Sequence, residues 1–169
     1  MHPYAKLAKS AVEEYVRNGL ILKVPADISQ DMKRRAGVFI CLKSGGQLRG
    51  CIGTFQPCRN NLYEEIVRNA ISASTEDPRF SPVTPRELDD LAYTVDILSE
   101  PEKISDLSEL NPGKYGIIVS KGSRRGLLLP DLEGVDTVEQ QIEITKMKAG
   151  IDPLESDIVI HKFLVERYV

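Results

Sequence analysis

Chemically useful side chains recur along the segment from Leu48 to Thr54. Arg49, Cys51 and Gly53 occupy alternate positions there, and alternate residues of a β-strand lie on one face of the sheet. Two residues of extended chain span about 7 Å, so the Arg49 guanidinium would lie close to the Cys51 thiol. A neighbouring positive charge favours the thiolate, which is the nucleophilic form of cysteine. The spacing therefore makes Cys51 a candidate nucleophile.

The glycines of this segment have two interpretations. Gly50 and Gly53 carry no side chain, which leaves space for a ligand or for another backbone to approach. In the structural interpretation they form a bulge and Cys51 is a small buried hydrophobic residue, and spacing alone favours it. Nucleophilic catalysis would also require a base. The chain has only two histidines, His2 and His161, and the sequence places neither near Cys51.

A short Asp-Pro-Arg-Phe segment brings further charges. Asp77 can pair with Arg79 in a loop that Phe80 anchors. Arg79 and Arg49 together would form an anion pocket, because guanidinium groups bind carboxylate or phosphate through two hydrogen bonds. Arg125 is a candidate third member of this pocket. The alternative is that these arginines are exposed and form only weak ion pairs.

The cysteines indicate neither a disulfide framework nor a zinc site. Cys41, Cys51 and Cys58 are odd in number and lack CxxC spacing, which is typical of reduced thiols in cytosolic proteins. With two histidines they provide no zinc-type ligand spacing, so no metal ligand is assigned. Carboxylate sites for a metal stay open, and no cofactor is identified.

Composition narrows the classes of protein and of partner. The formal charge is -3 and 41% of the residues are hydrophobic, so nucleic acid could bind only at a local patch such as Lys121 with Arg124 and Arg125. We rank nucleic-acid binding last. No apolar run approaches the roughly 20 residues that span a bilayer, and the amino-terminal residues do not resemble a signal peptide. We therefore expect a cytoplasmic protein without a membrane-spanning segment.

Apolar spacing and capping residues predict four helices. Each begins at a proline or a side chain that can cap the free backbone N–H groups, and two end at glycine. They are predicted from Pro3 to Asn18 before Gly19, from Asn60 or Asn61 to near Asp77, from a capping box of Thr84 and Glu87 towards Leu91, and from Thr137 to Gly150.

β-Branched and alternating segments predict the strands between these helices. Two hairpins are joined by glycine-containing turns, one strand follows the third helix directly, and one long strand closes the chain. The irregular order of helices and strands excludes the βαβ alternation of a parallel sheet. We therefore predict an α+β fold, with helices packed on antiparallel sheets, in a single domain over residues 1–169 that has a larger and a smaller lobe. The predicted strands are Gly37–Leu42, Gln47–Phe55, Tyr93–Ile97, Gly116–Ser120, Gly126–Leu129 and Ile158–Val169.

Four motifs, in order, resemble those of the AMMECR family. They are Gly37-Val-Phe-Ile, Leu48-Arg-Gly-Cys-Ile-Gly-Thr54, Asp77-Pro-Arg-Phe80 and Gly126-Leu-Leu-Leu-Pro130. The resemblance runs from the first helix to the final strand, and its Leu-Arg-Gly-Cys-Ile-Gly motif is specific to the family. It implies an α+β fold of two lobes and an uncharacterised biochemical activity. Microbial relatives are often encoded beside, or fused to, a Memo-like protein and a radical S-adenosylmethionine protein, so the resemblance implies these as partners.

The chain departs from the family pattern near its last helix. Relatives read Thr-Cys-x-Lys-Ala-Gly where this chain has Thr145-Lys146-Met147-Lys148-Ala149-Gly150. The second cysteine of that pattern is absent. A mechanism that pairs Cys51 with a helical cysteine therefore does not transfer to this protein.

These observations lead to two hypotheses for function. The first is a ligand-binding or enzymatic protein, with a small molecule bound in a cleft between the lobes and Cys51 as the reactive or ligand-contacting group. The second is a non-catalytic adaptor that docks a partner through the same motif surface. The cleft of the first hypothesis would be lined by Arg49, Cys51, Thr54, Asp77 and Arg79.

Overall fold

The computed structural model describes all 169 residues, Met1 to Val169, in two compact units. Unit 1 comprises Met1–Leu98 and Glu166–Val169, and unit 2 comprises Ser99–Val165. Each unit contains one four-stranded sheet with helix packed against it. The pairs β1–β2 and β1–β3 of the first sheet are antiparallel, and so are all neighbouring pairs of the second sheet. The predicted α+β class is therefore confirmed.

Unit 1 is a sheet of strand order β2-β1-β3-β8 covered by α1 and α3. The apolar faces of the helices and the inward side chains of the strands form one continuous core. The elements are α1 (Pro3–Asn18), α2 (Gln30–Lys33), β1 (Val38–Ser44), β2 (Gln47–Thr54), α3 (Leu62–Thr75), a 3₁₀ helix (Pro85–Asp90), β3 (Leu91–Leu98) and β8 (Val165–Tyr168).

Capping residues set the ends of the helices in unit 1. Proline opens α1, where its missing N–H costs nothing, and Gly19 ends it in the left-handed conformation with φ of 68°. Asn61 caps α3 by accepting a hydrogen bond from the backbone N–H of Glu64. Thr84 and Glu87 form the predicted capping box of the 3₁₀ helix. Because these signals are local, the predicted starts of all three helices are confirmed.

A β-bulge divides the β1–β2 hairpin. Counting away from the turn, Ser44 pairs with Gln47 and Lys43 pairs with Leu48, but the next residue of β1, Leu42, pairs with Gly50. Arg49 therefore has no partner on β1, which is the arrangement of a bulge. Beyond it the alternation of side chains is shifted by one residue.

The bulge decides which side of the sheet each motif residue faces. Gly50, Ile52 and Thr54 lie opposite the buried residues of β1 and face the helices. Cys51 and Gly53 face the other side of the sheet. The predicted alternation that joined Arg49 to these two residues fails, because the unpaired position interrupts the period of two.

Gly50 allows α3 to pack closely on β2. A Cβ atom built at Gly50 would overlap the backbone carbonyl oxygen of Ala73 on α3. Gly53 is restricted in the same way on the opposite side of the sheet, where a Cβ atom would overlap the ring of Phe39. The space that both glycines leave is therefore filled by the protein itself.

Unit 2 is a sheet of strand order β4-β7-β5-β6 with α4 packed on β5 and β6. Thr137 caps α4 through a capping box, and Gly150 ends the helix with φ of 68°. Its elements are β4 (Glu102–Lys103), a 3₁₀ turn (Leu107–Glu109), β5 (Gly116–Lys121), β6 (Arg124–Leu128), α4 (Val138–Ala149) and β7 (Val159–Phe163). No helix in either unit is long and apolar enough to cross a membrane.

The end of the chain corrects one prediction. The β-branched segment from Ile158 to Val169 forms two strands rather than one long strand, because Leu164 separates β7 from β8. The two strands belong to different sheets. Propensity identified the strand residues but carries no information on where the chain leaves one sheet for the other.

The close approach of α3 to β2 predicts the effect of adding one methyl group. We expect Gly50→Ala to lower the free energy of unfolding by about 1–3 kcal/mol, because α3 must shift to relieve the overlap with Ala73. Urea unfolding followed by circular dichroism measures the change.

The matched control is Gly113→Ala, where the nearest atom to a built Cβ is the Asn111 Oδ1, 3.5 Å away. We expect this control to change stability by less than about 0.5 kcal/mol. Equal stability of Gly50→Ala and the wild type would contradict the packing described.

Candidate functional site

Cys51 is joined to Cys41 across the β1–β2 hairpin. The two residues are direct partners in the strand register, with Cα atoms 4.2 Å apart, and form a disulfide. Both are half-buried on the side of the sheet that faces away from α1 and α3. Cys58 is the one free cysteine, and it is exposed. The prediction of three reduced thiols is corrected, because the fold brings two of the cysteines together.

Asp77 and Arg79 hold the outer edge of β2 at Cys51. The Asp77 Oδ2 accepts a hydrogen bond of 2.9 Å from the backbone N–H of Cys51. Arg79 donates from Nε and Nη2 to the two carboxylate oxygens of Asp77, at 3.0 and 2.8 Å. Since β2 is the edge strand, these side chains take the place of a neighbouring strand.

This ion pair fixes the charge of the Asp77 carboxylate. The Asp77 side chain is only 2% exposed, whereas that of Arg79 is 55% exposed. The hydrogen bonds from the Arg79 guanidinium hold the pKa of Asp77 well below its ordinary value, against the opposing effect of burial. The same bonds raise the pKa of Arg79. The pair is thus fully ionised across the physiological range.

Arg49 is held by a second carboxylate. Its Nε donates to the Oε1 of Glu87 at 2.7 Å, and Glu87 also accepts from the N–H and hydroxyl of Thr84. The Arg49 guanidinium holds the pKa of Glu87 at about 2, below its ordinary 4.5. Both arginines also contact Phe80, whose ring centroid is 5.8 Å from the Cζ of Arg49 and 5.5 Å from that of Arg79.

Thr54 belongs to a polar network on the helix side of β2. Its hydroxyl donates to the Oε1 of Glu65 at 2.6 Å and accepts from the Nδ2 of Asn69 at 3.1 Å. Glu65 is 1% exposed and accepts two further hydrogen bonds from the N–H groups of Cys58 and Arg59. Thr54 therefore ties β2 to α3 and does not share the face of Cys51.

The structure brings together part of the predicted site. Asp77 and Arg79 contact Cys51 directly, and Arg49 shares the Phe80 ring with Arg79. Gly50 and Gly53 offer no open space for a ligand. Arg125 lies in unit 2, on β6 opposite Ser120. Both arginines of the expected anion pocket in unit 1 are already paired with carboxylates.

Two residues of the site were not predicted from the sequence. Cys41 was counted only as one of three thiols, and Glu87 only as a capping residue. A hairpin register counted from the Gly45-Gly46 turn without a bulge would pair Cys41 with Gly50, so it would not have found the disulfide. No group of three or more His, Cys, Asp or Glu side chains in the chain is arranged to hold a metal ion.

Comparison with known proteins identifies the family. The family model described as AMMECR1 matches residues 5–168. The chain belongs to the AMMECR1 family. A protein of Thermotoga maritima is 56% identical over 169 residues, which cover 99% of this chain and 97% of that relative.

Two further relatives differ from this chain in length or have a known structure. A protein of Clostridium acetobutylicum is 49% identical, over 98% of this chain but only 36% of its own length. This chain therefore spans about a third of that relative. The crystal structure of an uncharacterized protein from Pyrococcus horikoshii superposes with a TM-score of 0.89 at 34% identity, covering 97% of this chain and 88% of that one.

The Arg49–Glu87 pair predicts a pH dependence of stability. Because the folded-state pKa of Glu87 is depressed to about 2, the pair stabilises the fold fully above the ordinary pKa of 4.5. This contribution is lost as the pH falls towards about 2. We expect the difference in urea midpoint between wild type and Glu87→Gln to be largest at neutral pH and to shrink steadily below about pH 4.5.

Asp89→Asn is the matched control for this measurement. Asp89 is an exposed carboxylate on the same 3₁₀ helix, and the structure gives it no ion pair. We expect its urea midpoint to follow that of the wild type at every pH. A constant difference between wild type and Glu87→Gln at all pH values would mean that the Arg49 pair does not form.

Proposed function

We propose that this AMMECR1 protein is a ligand-binding or enzymatic protein that performs thiol–disulfide exchange at the Cys41–Cys51 pair. The observation that carries the proposal is the position of the pair. Both cysteines lie half-buried on the side of the unit 1 sheet opposite α1 and α3. A purely structural disulfide sealed in the apolar core would not be accessible to another thiol.

The exchange would proceed through a mixed disulfide with a thiol substrate. A substrate thiolate attacks the Sγ of Cys51, the bond between the two cysteines breaks, and Cys41 leaves as a thiolate. A second substrate thiol then displaces Cys51, so the substrate is oxidised to a disulfide and the protein receives two electrons and two protons. Attack at Cys51 is favoured because this residue is on the edge strand, whereas Cys41 is on an inner strand.

The surrounding ion pairs support this role by fixing the backbone of Cys51. Asp77 accepts from its N–H, and the Nη2 of Arg79 lies 3.5 Å from its carbonyl oxygen. A strand held in this way keeps the Cys51 Sγ beside Cys41 in both oxidation states. The expected cytoplasmic location also supports exchange over a structural role, because disulfides in a reducing compartment are usually catalytic or redox-sensing.

Single-cysteine variants test the proposal. In a Cys58→Ser background, Cys41→Ser leaves only Cys51 and Cys51→Ser leaves only Cys41. We expect the variant with Cys51 to form a mixed disulfide with oxidised glutathione in the native state, detected by intact mass spectrometry, and to react faster than the variant with Cys41. The rate should rise with pH as the thiolate forms.

The intact pair provides the control. Native protein with Cys58→Ser as its single substitution should exchange with reduced glutathione without unfolding. Reaction of Cys51 only in urea, at the rate of an unfolded peptide, would refute the exchange proposal.

A second candidate function is docking of another protein through the same face. What favours it is the clostridial relative, in which this domain makes up only 36% of a longer chain and so works beside other protein segments. The partners expected from the resemblance are a Memo-like protein and a radical S-adenosylmethionine protein. Lys43 is exposed on the face that carries Cys41 and has no ion-pair partner.

Charge reversal on that face tests docking. We expect Lys43→Glu to weaken binding to a Memo-like or radical S-adenosylmethionine protein of the same organism by at least about tenfold, measured by calorimetry. Lys6→Glu is the control, because Lys6 is an exposed lysine on α1, at the opposite side of the sheet. Equal effects of the two reversals would argue against docking at the motif face.

A further inference from the structure

Unit 2 contains a cavity of about 380 Å³ between α4 and the chain around β4 and β7. A volume of this size is in the range of small-molecule sites. Its walls are mainly apolar, and one buried lysine lies among them. The lining residues are Ile104, Ser105, Asp106, Leu107, Ile142, Lys146, Ser156, Ile158 and Ile160.

Lys146 is the unusual member of this lining. Its surface is only 9% exposed, yet no carboxylate lies within ion-pair distance of its ammonium group. The Nζ donates to the carbonyl oxygens of Pro153 and Glu155, at 3.1 and 2.7 Å. An ammonium group has three N–H donors, so one of them has no protein acceptor. A buried charge without a counter-ion is costly to the fold, and a bound anion would remove that cost.

We propose that this cavity binds a small monocarboxylate with an apolar body. Three isoleucine side chains, Ile104, Ile142 and Ile158, are partly buried at the cavity and would cover the apolar body. The Lys146 ammonium pairs with the carboxylate and supplies its third N–H. Ser156 also lines the cavity and is exposed, so its hydroxyl can serve as a second donor for the carboxylate.

The mouth of the cavity restricts the charge of the ligand. The exposed lining residues mark the side that opens to solvent, and they are Ser105, Asp106, Leu107 and Ser156. The backbone N–H of Ser108 holds the pKa of Asp106 below its ordinary value, so this residue is anionic at neutral pH. A phosphate or a dicarboxylate would bring a second negative charge towards Asp106. One negative charge at the end of an apolar ligand avoids this repulsion.

A matched pair of probes tests the proposal in the full-length protein. Hexanoate and hexan-1-ol have the same apolar chain and differ at the head group. We expect calorimetry to show hexanoate binding about tenfold or more tightly than hexanol, because only hexanoate pairs with Lys146. Amide chemical-shift changes should map to residues 104–107 and 156–160. Equal affinities, or no binding of hexanoate at millimolar concentration, would overturn the proposal.

Substitution on α4 assigns the effect to the ammonium group. Lys146→Met keeps an apolar side chain of similar length, and we expect it to lower hexanoate affinity to that of hexanol without changing hexanol binding. Lys148→Met is the control, because Lys148 is on the same helix but donates to the carbonyl oxygen of Leu127 outside the cavity. Unchanged hexanoate affinity in Lys146→Met would overturn the assignment.

A cavity-filling variant keeps the test decisive if Lys146→Met does not fold. Ile142→Phe adds volume to the wall while it leaves Lys146 in place. We expect it to abolish the binding of both hexanoate and hexanol. Retained binding of hexanoate in this variant would place the ligand elsewhere and overturn the proposal.

Discussion

The unpaired residue at Arg49 is the constraint on which the motif surface depends. Without it, the hairpin register would set Cys51 opposite Ile40, a fully buried residue of the helix side. The bulge moves every later residue of β2 by one position, so that Cys51 instead meets Cys41 on the other side of the sheet. Because Arg49 is the unpaired residue of the bulge, its side chain does not follow the alternation of the strand. The Arg49 side chain hydrogen-bonds to Glu87. One inserted residue thus creates both the disulfide and the ion pair.

Three carboxylates stabilise β2 from outside the sheet. Asp77 binds its outer edge at Cys51, Glu87 binds Arg49 at the bulge, and Glu65 binds Thr54 at the end of the strand. They come from a loop, a 3₁₀ helix and α3, so three different elements fix a single edge strand. Edge strands are exposed to unwanted pairing, and charged groups along the edge oppose it. The same contacts set the orientation of the cysteine pair.

Local signals made most of the fold predictable from the sequence. The helix starts at Pro3, Asn61, Thr84 and Thr137 follow from proline in the first turn or from a side chain that caps the helix, and neither needs tertiary information. The site was less predictable because its contacts are long-range. Arg49 and Glu87 are 38 positions apart, and no periodicity relates them.

The cysteine pair and the last strands show the other limit of sequence pattern. A bulge changes the face of Cys51 although the residue types on both sides of it fit a regular strand. At the end of the chain, the sequence pattern predicts one strand where the structure has β7 and β8, because only a single residue, Leu164, separates them. In both places the outcome depends on pairing with distant strands rather than on local preference.

The division of the closing residues between two sheets has a consequence for the order of synthesis. β8 completes the sheet of unit 1 beside β3, but all of unit 2 lies between β3 and β8 along the chain. As the chain leaves the ribosome, β3 has one edge without a partner until unit 2 has also been made. The buried Asp96 on β3 likewise meets its guanidinium partner, Arg167, only at that stage. Unit 1 is therefore the first unit to be synthesised in part and the last to be completed.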